Sequence, residues 1–264
     1  MKIQPGTSAI VTGASRGIGR ALATELAGRG ARLGLLARDR DALEETAEAL
    51  PGDDHVVLAG DISKRREVER AIERFAKRAE GIDILAANAG IAHYGPFAET
   101  DVARAEEMVR VNVLGTIYSV HAALPHMLER RRGHVVITSS GAGLRAFPEA
   151  AVYGATKAAD RGFAEALRHE LAGTGVSVTT VYPGEVDTDL HAHERDILPD
   201  WRSNDEQLPP AEVATAIADA IEADRREVSV PRIVRLLGLN GVSPRLVDEI
   251  LVRIRGNSAA PRRG

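Results

Sequence analysis

Short apolar runs alternate along the chain with longer segments in which apolar residues recur every three or four positions. The runs 8–12, 32–36, 56–59, 82–87, 134–139, 176–182 and 227–230 read as strands. The segments 17–29, 40–50, 64–79, 101–129, 153–173 and 210–223 carry helical periodicity, and Gly30 stands where the first of them should stop. Strands alternating with helices of this length form βαβ units. The pattern predicts an α/β fold, a doubly wound (Rossmann-type) parallel β-sheet with helices on both faces, as a single domain over 1–264. No internal repeat or linker breaks the alternation.

Composition narrows what such a domain does. With 264 residues, 44% of them hydrophobic, the chain has enough apolar material for one core. A formal net charge of -4 gives no basic field, so a nucleic-acid partner is not expected. The absence of cysteine excludes disulfides, thiolate nucleophiles and zinc-cysteine sites. Residues 1–13 lack the features of a signal peptide and no run approaches a membrane span, so a soluble, cytoplasmic protein is expected. His191, His193 and Glu194 sit on a polar stretch and read as solvated side chains, so no metal is expected.

Four clusters carry candidate chemistry. Thr12-Gly13-Ala14-Ser15-Arg16-Gly17-Ile18-Gly19 lies between the first strand and the first helix, where glycines let a pyrophosphate approach backbone N–H groups. Asn88-Ala89-Gly90 closes the fourth strand, and the ends of strands one and four flank the switch point of a doubly wound sheet. Tyr153 and Lys157 stand at i and i+4 of a helix and so project from one face. A free phenol ionises near pH 10, and an adjacent ammonium favours its phenolate, which suits Tyr153 to acid/base work. The chain has only four lysines, Lys2, Lys64, Lys77 and Lys157, among many arginines, so a lysine kept at 157 is informative. Ser140 directly follows the strand 134–139, Asn112 interrupts an apolar helical stretch as a buried amide in need of partners, and Pro183-Gly184 follows the sixth strand.

The spacing T-G-x-x-x-G-x-G, with Asn88-Ala89-Gly90, Ser140, Tyr153-x-x-x-Lys157 and Pro183-Gly184-x-x-x-Thr188 in order, resembles the classical short-chain dehydrogenase/reductase family over about two thirds of the chain. The resemblance implies a catalytic set of Asn112, Ser140, Tyr153 and Lys157, with Asn112 supporting a water that links the lysine to solvent. It implies cofactor contacts from Gly13, Ser15, Arg16, Gly17, Ile18 and Gly19 in the loop, and from Arg38, Asp61 and Ile62 after the next two strands. Asn88, Ala89, Gly90, Tyr153 and Lys157 follow in the middle of the site, with Pro183, Gly184, Val186 and Thr188 at the nicotinamide end. The implied activity is hydride transfer between nicotinamide and a small-molecule carbonyl or alcohol. Epimerisation or dehydration on the same fold, and cofactor sensing without catalysis, are the competing classes; the intact Tyr153 and Lys157 and the modest chain length favour the first.

A carboxylate at the end of strand two would accept hydrogen bonds from a free ribose 2′-OH and repel a 2′-phosphate. Ala37 and Arg38 stand there, and Arg16 adds a second guanidinium, so NADP(H) is favoured over NAD(H); Asp39, one step later, is the complication. Asp61 has helix capping as its alternative to an adenine contact. The aperiodic, charged segment 185–210 is expected to close over substrate, with His93, Tyr94, Leu144 and Phe147 as pocket walls alongside Ser140 and Tyr153. The small residues Gly154, Ala155, Ala158, Ala159, Gly162 and Ala166 would let a helix from a second copy approach, and a homodimer or homotetramer is expected. The region 231–264 reads as a helical extension: Ser243-Pro244 starts a helix, Leu246, Val247, Ile250, Leu251 and Ile254 form its apolar face, and arginines flank it. It is expected to cover the pocket or join a subunit contact, with an anionic membrane surface as the lesser alternative.

Overall fold

The computed structural model describes residues 1–188, 207–245 and 249. Seven strands form one sheet: β1 (Ser8–Thr12), β2 (Arg32–Ala37), β3 (Val56–Ala59), β4 (Ile84–Ala87), β5 (Gly133–Thr138), β6 (Val176–Pro183) and β7 (Glu227–Val230). Their order is β3-β2-β1-β4-β5-β6-β7, and every pairing is parallel. The chain runs outward from β1 to β3, then crosses back to lay β4 on the other side of β1. The carboxyl ends of β1 and β4 therefore border the crevice where a doubly wound sheet binds ligands.

The helices are α1 (Gly17–Gly28), α2 (Arg40–Ala49), α3 (Arg65–Ala79), α4 (Val102–Met108), α5 (Gly115–Glu129), α6 (Gly141–Leu144), α7 (Ala151–Glu170) and α8 (Pro210–Glu222). Strand alternation divides the core between two layers. Ala9 and Val11 of β1 pack with Leu22 and Leu26 of α1, Leu43 of α2 and Ile217 and Ile221 of α8. Ile10 faces the opposite layer, with Phe75 of α3, Met127 of α5 and Leu167 of α7. Both faces of the strands are buried, which is why the runs read as continuous apolar segments rather than alternating ones.

Two expected elements differ in extent. The strand expected over 82–87 is assigned from Ile84, although Asp83 still bonds both neighbours through its backbone, its N–H donating to the Ser8 carbonyl at 2.9 Å and its carbonyl accepting from the His134 N–H at 2.8 Å, while its carboxylate accepts from the Ser8 N–H at 3.0 Å. The single helix expected over 101–129 is α4, a π-helical turn at Val109–Leu114, and α5. Apolar periodicity does not register one extra residue per turn, and such turns mark functional sites. Here the wide turn carries Asn112, fully buried, whose Oδ1 accepts from the Ile91 N–H at 2.8 Å. Its amide donates to the Ile91 carbonyl at 2.9 Å and to Thr156 Oγ1 at 3.0 Å.

A 3₁₀ segment, Arg232–Gly241, follows β7. Helical geometry resumes at Pro244 and Arg245, where a start was expected, but the apolar face from Leu246 to Ile254 lies outside the described residues, as does most of the expected lid, including His191, His193 and Glu194. At the described ends of the segment 185–210, Val186 and Leu208 form a parallel bridge. No helix among the described residues is long and apolar enough to cross a membrane.

Candidate active site

A cleft of about 610 Å³ runs along the carboxyl edge of the sheet, from the glycine loop and Arg38 at one end to Tyr153 at the other. That is a normal volume for a cofactor pocket. Its first end is built by the turn from β1 into α1. Gly13 and Gly17 have φ of +69° and +55°, conformations that L side chains rarely adopt. Gly19 serves the loop itself: a Cβ there would stand 2.1 Å from the Gly13 carbonyl oxygen and 2.8 Å from Asn88 Nδ2. Helix α1 begins with no side-chain cap and no acidic residue in its first turn, leaving its N-terminal N–H groups and positive dipole end suited to an anion.

The fourth strand's Asn88-Ala89-Gly90 faces this loop as the topology requires. The residue that joins them is Thr12, whose hydroxyl accepts from the Asn88 and Ala89 N–H groups, each at 2.9 Å, while Asn88 Nδ2 donates to the Thr12 carbonyl at 3.2 Å. Sequence reasoning treats Thr12 only as the first letter of a motif. Its position as the last residue of β1, beside the strand that ends in Asn88, is the available signal.

At the ribose corner the cleft is lined by Ala37, Arg38, Asp39 and Ala42, with Arg16 and Asp61 nearby. Asp39 is committed as the N-cap of α2, its carboxylate accepting from the Ala42 N–H at 3.1 Å. Asp61 lines the cleft but does not cap α3, whose N-cap is Lys64; instead its Oδ1 closes a local turn, accepting from Ser63 N at 2.9 Å and Ser63 Oγ at 2.7 Å. Burial raises its carboxyl, but the Ser63 hydrogen bonds and the charges of Lys64 and Arg38 prevail and hold it below the usual range.

At the far end the carboxyl edge of β5 delivers Ser139 and Ser140. Ser139 is buried and its hydroxyl donates to the Lys157 carbonyl at 2.7 Å, anchoring α7 to the sheet. Ser140 lines the cleft and is the N-cap of α6, its Oγ accepting from the Ala142 N–H at 3.1 Å, which leaves the hydroxyl proton to donate. Tyr153 and Lys157 project from α7 into the same space, 9% and 5% exposed. The Lys157 ammonium donates to the Thr138 carbonyl at 2.8 Å and to Asp160 Oδ2 at 3.0 Å. Burial works against that charge, but Asp160 and, next, Tyr153 outweigh it and hold the ammonium above the ordinary lysine range.

The cleft lining also takes in Ser15, Ile18, Ile62, Ala89, Gly90, Pro183, Gly184, Val186 and Thr188, all expected at the cofactor. Of the four expected pocket walls, Tyr94 and Phe147 line the cleft and His93 and Leu144 do not. His93 turns toward α4, its Nε2 3.8 Å from Glu107, and Leu144 lies beside Gly238. Val234 and Leu237, three residues apart on the 3₁₀ segment, fill the wall instead. Among the small residues expected at a helix pairing face, Ala155, Ala158, Ala159, Gly162 and Ala166 are exposed, but Gly154 is buried, a Cβ there falling 2.9 Å from Ala146.

Fold and cleft together define a dinucleotide-binding protein of the doubly wound class. The family model described as short chain dehydrogenase matches residues 7–198, and the chain belongs to that family of oxidoreductases. An uncharacterized oxidoreductase of Staphylococcus saprophyticus is 35% identical over 217 residues, 81% of this chain and 90% of the relative. Among solved structures, a short-chain dehydrogenase/reductase of Burkholderia phymatum in complex with NAD superposes with a TM-score of 0.83 at 27% identity, over 94% of this chain and 96% of that one. A short-chain dehydrogenase of Burkholderia cenocepacia in complex with NADP gives 0.80 at 28% identity, over 96% and 99%. A nicotinamide cofactor is thereby supported for this chain.

Proposed function

We propose that this protein is an NADP(H)-dependent reductase or dehydrogenase that moves hydride between nicotinamide and a small carbonyl or alcohol substrate, with Tyr153 as general acid/base. The observation that carries this reading is one continuous cleft with an uncapped helix start and glycine loop at one end and Ser140, Tyr153 and Lys157 at the other. Thr138 Oγ1, on the same lining, is buried with no hydrogen-bond partner among the described residues, a polar atom suited to a bound ligand.

The cofactor supplies the hydride or accepts it. Gly13, Gly17 and the start of α1 would hold its pyrophosphate, and Arg16 and Arg38 would receive a 2′-phosphate. Ser140 donates to the substrate oxygen and orients it. With the hydride supplied or taken by the bound cofactor, Tyr153 would give its proton to the carbonyl oxygen in reduction and take the proton of the alcohol in oxidation. Lys157, on the same helix face and held charged by Asp160 and Tyr153, would bind the ribose beside Tyr153. The aromatic and aliphatic wall of Tyr94, Phe147, Val234 and Leu237 favours a substrate with an apolar body.

The test is a panel of ketones, aldehydes and alcohols with the purified protein and each cofactor. Turnover of reduced or oxidised nicotinamide with NADP(H) preferred is expected. Tight NADPH binding with no hydride transfer to or from any substrate would favour a sensor instead.

A further inference from the structure

Asp160 is buried beside the site, and the chemistry just described gives it no task. It lies seven residues after Tyr153 and three after Lys157, so all three share one face of α7. Its side chain is 2% exposed and that of Lys157 is 6% exposed, with 3.0 Å between Oδ2 and Nζ. A buried ion pair of this kind is often no more stabilising than a well-packed apolar pair, so its presence on a core-facing helix calls for another reason.

Lys157 provides that reason. An ammonium has three donors. One goes to the Thr138 carbonyl and one to Asp160, and two fixed directions at a tetrahedral nitrogen determine the third. Lys157 lines the cleft, and Nζ lies 3.6 Å from where a Cβ on Gly90 would stand, at the wall formed by the end of β4. We propose that Asp160 is a positioning residue: with the Thr138 carbonyl it holds two N–H bonds of Lys157 so that the third is aimed into the cleft. The inference rests on the reading of Tyr153 and Lys157 as the acid/base pair.

Among the described residues, the charged or titratable groups acting on Lys157 are Asp160 and Tyr153 of its own helix. The strand β5 contributes the Thr138 carbonyl, the π-helical turn brings the Asn112 amide close by, and α5 sets the Thr116 hydroxyl against Asp160. Burial raises the Asp160 carboxyl, and the ammonium offsets part of that rise. The carboxyl and the ammonium are thus each the main compensation for the other's burial.

The experiment follows Lys157 directly. With four lysines in the chain, lysine-selective ¹³C NMR of the whole protein gives few signals, and the Lys157 signal is assigned by its disappearance in Lys157→Arg. In Asp160→Asn, which keeps a hydrogen-bond acceptor but removes the charge, the Lys157 titration should move down by about one pH unit or more. Substrate turnover should fall about tenfold in kcat with KM nearly unchanged, as expected when a catalytic group is misaimed while the substrate still binds normally. Asp160→Glu restores the charge but shifts its position by one methylene, so the titration should return while kcat stays low; this variant also serves if Asp160→Asn does not fold. An unmoved Lys157 titration in Asp160→Asn, or a moved titration with unchanged kcat, overturns the inference. Full turnover in Tyr153→Phe would instead overturn the acid/base reading, leaving the NMR result to stand on its own.

Discussion

His134 offers a test of the packing that holds the sheet, independent of the chemistry at its edge. It sits near the start of β5, 1% exposed, with Nε2 2.8 Å from Thr179 Oγ1. Thr179 gives its only proton to the Arg225 carbonyl at 2.5 Å, so the histidine must be the donor, which specifies the neutral Nε2–H tautomer. Burial, only partly opposed by Asp224, pulls its ionisation from 6.5 down to about 4. Between those pH values the unfolded chain binds a proton that the folded one excludes. Stability contributed by neutral His134 is therefore complete above the unfolded value, is lost progressively as pH falls, and is exhausted once pH passes the folded value. Linkage puts the loss at about 2 kcal/mol by pH 5 and about 3 kcal/mol at its limit. His134→Gln keeps an N–H donor toward Thr179 without a titrating ring. Urea unfolding of protein and variant at about pH 8 and about pH 5 should show the variant gaining about 2 kcal/mol relative to the parent on acidification, a difference in which the titrating carboxylates cancel. Kinetics above the histidine range should be unchanged, since His134 and Ser140 lie at opposite ends of β5. Parallel pH–stability curves for the two proteins would refute the reasoning.

Other expected outcomes concern the cleft and the assembly. Gly19→Ala drives a Cβ onto the Gly13 carbonyl, so stability should fall by about 1–3 kcal/mol and NADPH affinity by about tenfold or more; fluorescence titration with normal affinity would contradict the loop's role. Arg38→Ala should weaken NADPH by about 1.5–3 kcal/mol while sparing NADH, and equal losses for both would show that no 2′-phosphate sits there. Exposed Ala155, Ala158, Ala159 and Gly162 on α7 support self-association, so light scattering at micromolar concentration should give a dimer or tetramer, and a monomer would count against it.

The sheet and its helices were legible because burial on both faces makes each strand an uninterrupted apolar run, and the order of motifs placed the cleft at the β1/β4 switch point. The π-helical turn at Asn112 was not, since one inserted residue leaves the spacing of Val111 and Leu114 compatible with an ordinary helix. Residues that work through backbone groups also escaped: Thr12 acts on N–H groups 76 and 77 positions away, and Ser139 on a carbonyl 18 positions away. Pocket walls were only half legible. His93 and Tyr94 are adjacent, yet one turns to α4 and the other to Tyr153, its ring centroid 6.0 Å from that of the catalytic candidate, a choice set by the loop's path rather than by residue type. Asp160 was visible as a carboxylate three residues after Lys157, but its burial was not.

The central claim is that Tyr153 exchanges the proton while the rest of the cleft holds the cofactor, and Tyr153→Phe separates the two. The variant deletes one hydroxyl from a side chain that is 9% exposed and packed among Ala92, Met108 and Phe147, so the fold and the cofactor end should be untouched. With a substrate identified from the panel, kcat should fall by about 10²–10⁴-fold while the NADPH dissociation constant stays within about a factor of three. Turnover within a few-fold of the parent, with NADPH bound equally well, would contradict the account.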